Sequence, residues 1–292
     1  MSGLRAMAIH ELPEVGEAAV CMGVFDGVHR GHLALVEATV QAARQRGLKA
    51  VALVFDPHPD EVVRPGTLVA RLAPLHENLR RLTEASIDVA VPLRFDNDLR
   101  ALTPEEFLLA MAPQIRVRAL VMSPESAFGR DRAGTPEAME AFGRSAGFDV
   151  VRVDRLVTDG QAPISSGRIR GALTDGAVDE AARLLGHPAY LEGALSSSGA
   201  SPSLRFAYHP ALPAPGAYRA RIRDRRAGVG TGDGLLRIDP EGNVELRRDA
   251  PIAAERVALD LLSRAGGRAR PRSIRTESGR AGINLVPCAG SV

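Results

Sequence analysis

Lysine is all but missing from this 292-residue chain: Lys49 is the single one, and the rest of the basic charge is arginine. Any phosphate contact that a lysine would make therefore falls to a guanidinium, a planar fork with a different geometry. Cysteine is as scarce. Cys21 and Cys288 stand far apart without C-x-x-C spacing, which speaks against both a disulfide scaffold and structural zinc. No apolar run approaches the roughly 20 residues of a membrane span, and the N-terminus, Arg5 followed by Glu11, Glu14 and Glu17, has no apolar leader core. A cytoplasmic protein without a membrane partner is expected. Net charge is only +2, too small to argue for nucleic acid, and the arginines of the Gly/Arg/Ser-rich end lack the aromatic platforms that bases stack on.

What is present suits a soluble globular chain. Hydrophobic residues make up 45% and charged residues 25%, which excludes wholesale disorder, and the length suggests two domains. An apolar run from Ala18 to Val24 leads into Gly23-Val24-Phe25-Asp26-Gly27-Val28-His29-Arg30-Gly31-His32, and an amphipathic run to Arg46 leads out. His29 and His32 should thus sit where a strand turns into a helix. The first N–H groups of a helix lack intrahelical acceptors and carry the positive end of its dipole, so an anion is held well there. Gly27 and Gly31 allow tight turning and close approach of a polyphosphate.

The helix is expected to stop at Gly47, and Ala50 to Phe55 reads as a strand buried on both faces. Strand, helix, strand makes a βαβ unit, so the predicted architecture is a doubly wound, Rossmann-like α/β sheet with ligands at the carboxyl ends of its strands. Further expected elements are a helix from Leu75 to Glu84, a strand from Asp88 to Leu93, a helix opened by Thr103-Pro104-Glu105-Glu106, and short strands at Ala119–Met122 and Phe148–Val153. Residues 155–161 read as a loop. Ser165 or Ser166 should cap a helix over Arg168–Leu173, and Ala177 to Leu185 forms another. From Ala189 the pattern changes to a turn-rich patch at 196–203 and short alternating strands such as 217–222 and 244–247. Pro251 to Arg264 reads as a helix with Ala254, Val257, Ala258 and Leu261 on one side, and 266–292 as a disordered tail.

The string G-x-F-D-G-V-H-R-G-H, at its strand-to-helix junction, resembles the FMN adenylyltransferase domain of the bacterial riboflavin kinase/FAD synthetase family. Ile164-Ser165-Ser166-Gly167-Arg168-Ile169-Arg170 is similar to the family's I-S-S-T-R-I-R, and Phe55-Asp56-Pro57-His58-Pro59 to its F-x-P-H-P. The resemblance implies FAD synthesis from Mg-ATP and FMN, both small-molecule substrates. It gives His29, His32 and Arg168 the catalytic contacts, and Gly23, Phe25, Asp26, Gly31, Ser165, Ser166 and Arg170 to ATP. Pro57, His58, Pro59 and Glu125 fall to the flavin. The reading needs the histidines and Arg168 to converge on one triphosphate; Mg²⁺ is the implied cofactor, with ligands unassigned.

Two stretches depart from the family. Where it reads V-G-x-D/N-F-x-F-G, this chain has Ser123 for the first Gly, Glu125 for Asp/Asn and Ser126 for Phe, which leaves open another phosphorylated acceptor. The C-terminal half resembles the family's riboflavin kinase barrel, yet nothing between Gly193 and Pro215 matches G-R-x-L-G-F-P-T-A-N. The expected division is therefore an adenylyltransferase domain over 1–188, a shortened β domain without kinase activity over 189–265, and a tail over 266–292. A non-catalytic nucleotide- or flavin-binding relic is the alternative outside the enzyme class.

Overall fold

The computed structural model describes residues 5–153, 155–160, 162–196, 202–224, 230–247, 256–266 and 285–287. Its first unit comprises residues up to Val69, Leu75–Pro163 and Leu285 onward; its second comprises Ala70–Pro74 and Ile164–Asn284. The division falls at Pro163, earlier than the expected 188.

In the first unit the elements run β1 (Gly16–Gly23), α1 (Arg30–Arg46), β2 (Lys49–Asp56), α2 (Pro59–Val63), α3 (Leu75–Glu84), β3 (Val89–Arg94), α4 (Asn97–Ala101), α5 (Pro104–Met111), β4 (Ile115–Met122), α6 (Pro136–Ala146), β5 (Asp149–Arg152) and β6 (Arg155–Val157). Five of the strands form one sheet in the order β3-β2-β1-β4-β5, every pair parallel. The period-2 geometry of strands sorts their side chains between two cores. Ala18, Val20, Val51, Leu53 and Leu120 pack with Phe107 and Met111 of α5 and Met139 of α6. Ala19, Cys21, Ala50, Ala52 and Ala119 face the other way, against Leu35, Val36 and Val40 of α1 and Leu82 of α3. Both faces of the sheet are covered, which is why the strands read as continuous apolar runs. The order reverses between β1 and β4, and an α/β sheet opens a crevice for ligands at such a point.

The helix punctuation follows the local chemistry. Gly47 closes α1 at φ 66°, its N–H bonded to the Ala43 and Arg44 carbonyls. Thr103 caps α5, accepting the Glu106 N–H, while the Glu106 carboxylate accepts the Thr103 N–H at 2.8 Å. The helix α6 was not foreseen, although Thr135-Pro136-Glu137 repeats the signature of Thr103-Pro104-Glu105 and Thr135 caps it.

The second unit carries α7 (Ser166–Thr174) and α8 (Val178–Leu185) ahead of β7 (Ala189–Ser196), β8 (Ser203–Arg205), β9 (Gly216–Asp224), β10 (Gly230–Ile238), β11 (Val244–Arg247) and β12 (Arg256–Arg264). These six strands close a barrel in the order β10-β11-β8-β7-β12-β9. The helix expected over 251–264 is a strand instead from Arg256 onward, 251–255 lying outside the described residues. Val257, Ala258 and Leu261 have helical spacing, but Val257, Leu259 and Leu261 also alternate. Pairing with β7 on one side and β9 on the other decides for the strand.

Two further expectations change. Residues 155–157, read as loop, form β6 and pair antiparallel with β13 (Leu285–Pro287), so the tail is not wholly without structure. The rest of the tail beyond Gly266, and 197–201 of the turn-rich patch, lie outside the described residues. Among those described, no helix is long and apolar enough to cross a membrane.

Candidate active site

The carboxyl end of β1 runs into a turn whose backbone is unusual. Phe25 (φ 51°), Gly27 (φ 74°) and Val28 (φ 41°) all occupy the left-handed region. Glycine is at ease there; a β-branched valine is not. Such residues cost on the order of 1–3 kcal/mol each and persist where the surroundings over-determine them. Asp26, buried, opens the short 3₁₀ turn Asp26–Val28. Gly31 is simply the second residue of α1, with no positive φ.

His29 is the N-cap of α1 and is buried, and its Nδ1 accepts the backbone N–H of His32 at 3.3 Å. An accepting Nδ1 carries no proton, so the ring's hydrogen sits on Nε2. The His32 ring stacks on it, centroids 3.6 Å apart and planes 15° from parallel, and Phe25 is tilted against the His32 ring at 5.2 Å. His32 is partly exposed as a residue, but its Nδ1 is buried and has no hydrogen-bond partner. Burial, and secondarily the neighbouring His29, hold its pKa well below 6.5. The stacked rings stand at the start of a helix with no acidic residue in its first turn, and the N–H groups of Arg30 and Gly31 precede the first intrahelical acceptors.

Beside this corner lies a cavity of about 830 Å³, lined from the carboxyl ends of β1, β2, β3 and β4. Gly23, Phe25 and His32 contribute from the β1 side. Phe55, Phe95, Phe107 and Phe128 line it in two edge-on pairs, at 5.6 and 5.5 Å between centroids. A Cβ on Gly23 would meet the Phe25 ring at 3.5 Å, an ordinary contact, so the fold itself does not demand glycine there. Of Pro57, His58 and Pro59, only Pro59 lines the cavity; His58 caps α2, its ring accepting the Asp60 N–H at 3.1 Å. Glu125 lines it and is exposed. Ser123 and Ser126 line it too, their hydroxyls 2.7 Å apart, with Ser126 Oγ also accepting the Ser123 N–H.

The wall missed from sequence is the loop Phe128–Gly134. Gly129 has φ 71° and ψ −179°, a region open essentially to glycine alone, and Asp131 and Arg132 are left-handed. Arg100, Arg130 and Arg132 line the cavity with Asp60 and Asp131. The signal was the paired glycines of Gly129-Arg130-Asp131-Arg132-Ala133-Gly134.

The second string lies in the second unit. Ser165 caps α7, its Oγ accepting the Arg168 N–H at 3.3 Å, and Ser166 is the first helical residue. Arg170 donates through Nε to the Ala70 carbonyl at 2.6 Å, which ties α7 to the 70–74 segment of the same unit. The histidines and Arg168 thus belong to different units. Among the described residues no cluster of three or more His, Cys, Asp or Glu could hold a metal ion.

Known proteins provide a comparison. Residues 12–168 match the family described as FAD synthetase. The bifunctional riboflavin kinase/FMN adenylyltransferase of Escherichia coli K12 is 34% identical over 188 residues, covering 63% of this chain and 60% of that protein. That of Listeria monocytogenes is 34% identical over 177 residues, covering 60% and 55%. The chain thus spans less than two thirds of the length of these relatives. A crystal structure described as a macrolide-efflux protein of Streptococcus pneumoniae shares the fold, with a TM-score of 0.77 over 89% of this chain and 91% of that one, at 23% identity.

Proposed function

The chain belongs to the FAD synthetase family, and from that premise we propose that it is a nucleotidyltransferase that moves AMP from Mg-ATP to FMN, giving FAD and pyrophosphate. A phosphate oxygen of FMN attacks the α-phosphorus, the bond to the bridging oxygen breaks, and pyrophosphate departs with that electron pair. The acceptor is already anionic at neutral pH, so no side-chain nucleophile is required. The protein's task is to align the two phosphates and to offset charge on the transferring and leaving oxygens.

The observation that carries the reading is the stacked His29–His32 pair at the N-terminus of α1, beside a phenylalanine-walled cavity. His29 Nε2–H, the His32 ring and the first N–H groups of α1 are the donors for the triphosphate. The cavity falls within the range of about 300–1,000 Å³ that small-molecule sites occupy, and its aromatic walls suit a flat apolar ring system. Within the second unit, Arg168, Ser165 and Ser166 at the start of α7 are assigned to phosphate by their likeness to the family's I-S-S-T-R-I-R string. Mg²⁺ is the cofactor of this reading and would offset charge on the triphosphate; its ligands are unassigned. The barrel is assigned no phosphorylating role.

A second acceptor is favoured by one feature, the Ser123–Ser126 hydroxyl pair in the cavity wall, which makes that wall polar where the family has an aromatic. Incubation of the purified protein with Mg-ATP and FMN tests both readings. FAD with stoichiometric pyrophosphate is expected. Pyrophosphate only with another phosphorylated acceptor would replace FMN, and no product with any acceptor would leave a binding protein.

A further inference from the structure

The left-handed turn that precedes the histidines is held from outside by a side chain of α3. Asn78, in the first turns of α3, accepts the Gly27 backbone N–H on its Oδ1 at 3.0 Å, across 51 residues of sequence, and is itself only 3% exposed. Within the turn, the Val28 N–H returns to the Phe25 carbonyl. The neighbouring Glu77, also buried, is ion-paired with Arg80 and Arg81 of the same helix. That fixes the turn of α3 from which Asn78 projects. Gly27 lies two residues before the N-cap histidine, so a rotation of its peptide changes where both rings point.

We propose that Asn78 is a positioning residue for the histidine pair: its amide oxygen clamps the Gly27 N–H and so holds Phe25, His29 and His32 in the arrangement that meets the triphosphate. Asn78 touches neither substrate in this scheme; it acts through the turn. A helix remote in sequence thereby sets the geometry of the nucleotide corner. The kinetic side of the proposal rests on the adenylyltransferase reading, whereas the geometric side does not.

The test compares N78L, which keeps the branched heavy-atom shape and removes the acceptor, with N78D, which keeps an acceptor oxygen. Two readouts are taken: steady-state kinetics with Mg-ATP and FMN, and the imidazole resonances of His29 and His32 by NMR. Misplacement of a site by about 1 Å can cost roughly a hundredfold, so N78L is expected to lose about tenfold or more in kcat while the KM for FMN stays within about twofold. Its ring resonances should move, and those of N78D should stay close to wild type with most of the turnover retained. Wild-type kinetics and resonances in N78L, or equal damage in both variants, would overturn the proposal. Should N78L not fold, N78D decides: undisplaced ring resonances support the clamp and displaced ones refute it. If the wild-type protein makes no FAD, the adenylyltransferase reading fails, while the resonance comparison still judges Asn78.

Discussion

His29 receives the backbone N–H of His32 on Nδ1 at 3.3 Å while the two rings lie stacked 3.6 Å apart. One side chain therefore caps the helix through Nδ1, while its Nε2 is the atom proposed for the triphosphate. The two roles can be separated by substitution. H29N keeps a capping oxygen and removes the imidazole, so it should retain stability and lose turnover. H29A should lose both, with about 0.5–2 kcal/mol of stability going with the cap. His32→Ala removes the ring stacked on His29 but leaves the backbone N–H that His29 caps, and is expected to lower turnover by about a hundredfold or more with the fold intact. Near-normal FAD formation by H32A, followed by absorbance or fluorescence of the product, would dismiss the assignment.

The same histidine makes stability depend on pH. Burial and the nearby His29 keep the His32 ring unprotonated below its ordinary value of 6.5. In the unfolded chain the ring takes up a proton as pH falls through that value, and the folded state refuses it, so the unfolded state gains. The contribution is whole above about pH 6.5 and declines on acidification toward the lowered folded value. Urea denaturation at a series of pH values should show H32N losing less stability than wild type over that window. Parallel curves would contradict the shifted titration.

Gly129 offers a steric prediction at the cavity wall. A Cβ there would lie 2.7 Å from the Pro104 nitrogen and 2.8 Å from its Cδ, on a backbone with φ 71°. Pro104 opens α5, so neither side can give way cheaply. G129A should cost on the order of 1–3 kcal/mol and raise the KM for the acceptor by moving Phe128. An unchanged urea midpoint would show that the loop is freer than its geometry implies.

Riboflavin distinguishes the two halves of the chain. The barrel is closed by six strands, but the stretch from Gly193 to Pro215 lacks the Thr-Ala-Asn that the family's kinase uses. With Mg-ATP and riboflavin, no FMN should appear by chromatography. Its appearance would restore a kinase to the second unit.

Much of the first unit could be read locally because the information is local. The continuous apolar runs of β1 and β2 announce a sheet covered on both faces. Thr103-Pro104-Glu105-Glu106 spells out a capping box, and Gly47 a left-handed stop. His29 and His32 are neighbours on one helix turn, so three positions of spacing sufficed to predict that they meet. His58 shows the limit of such spacing, since its ring serves as a helix cap and does not line the cavity.

Other features depended on residues far apart in the chain. Val257, Ala258 and Leu261 suit a helix as well as a strand, and only the ladders to β7 and β9 chose between them. Nothing near Gly27 announces Asn78, because a side chain that satisfies a turn from another helix leaves no periodic trace. The residue types thus set out the elements and the histidine pair at the start of α1. Long-range hydrogen bonding and packing settled the strand identity of 256–264, the glycine-only wall at Gly129, and the direction in which the two imidazoles are held. Those choices cost backbone freedom or strain, and distant partners alone could offset it.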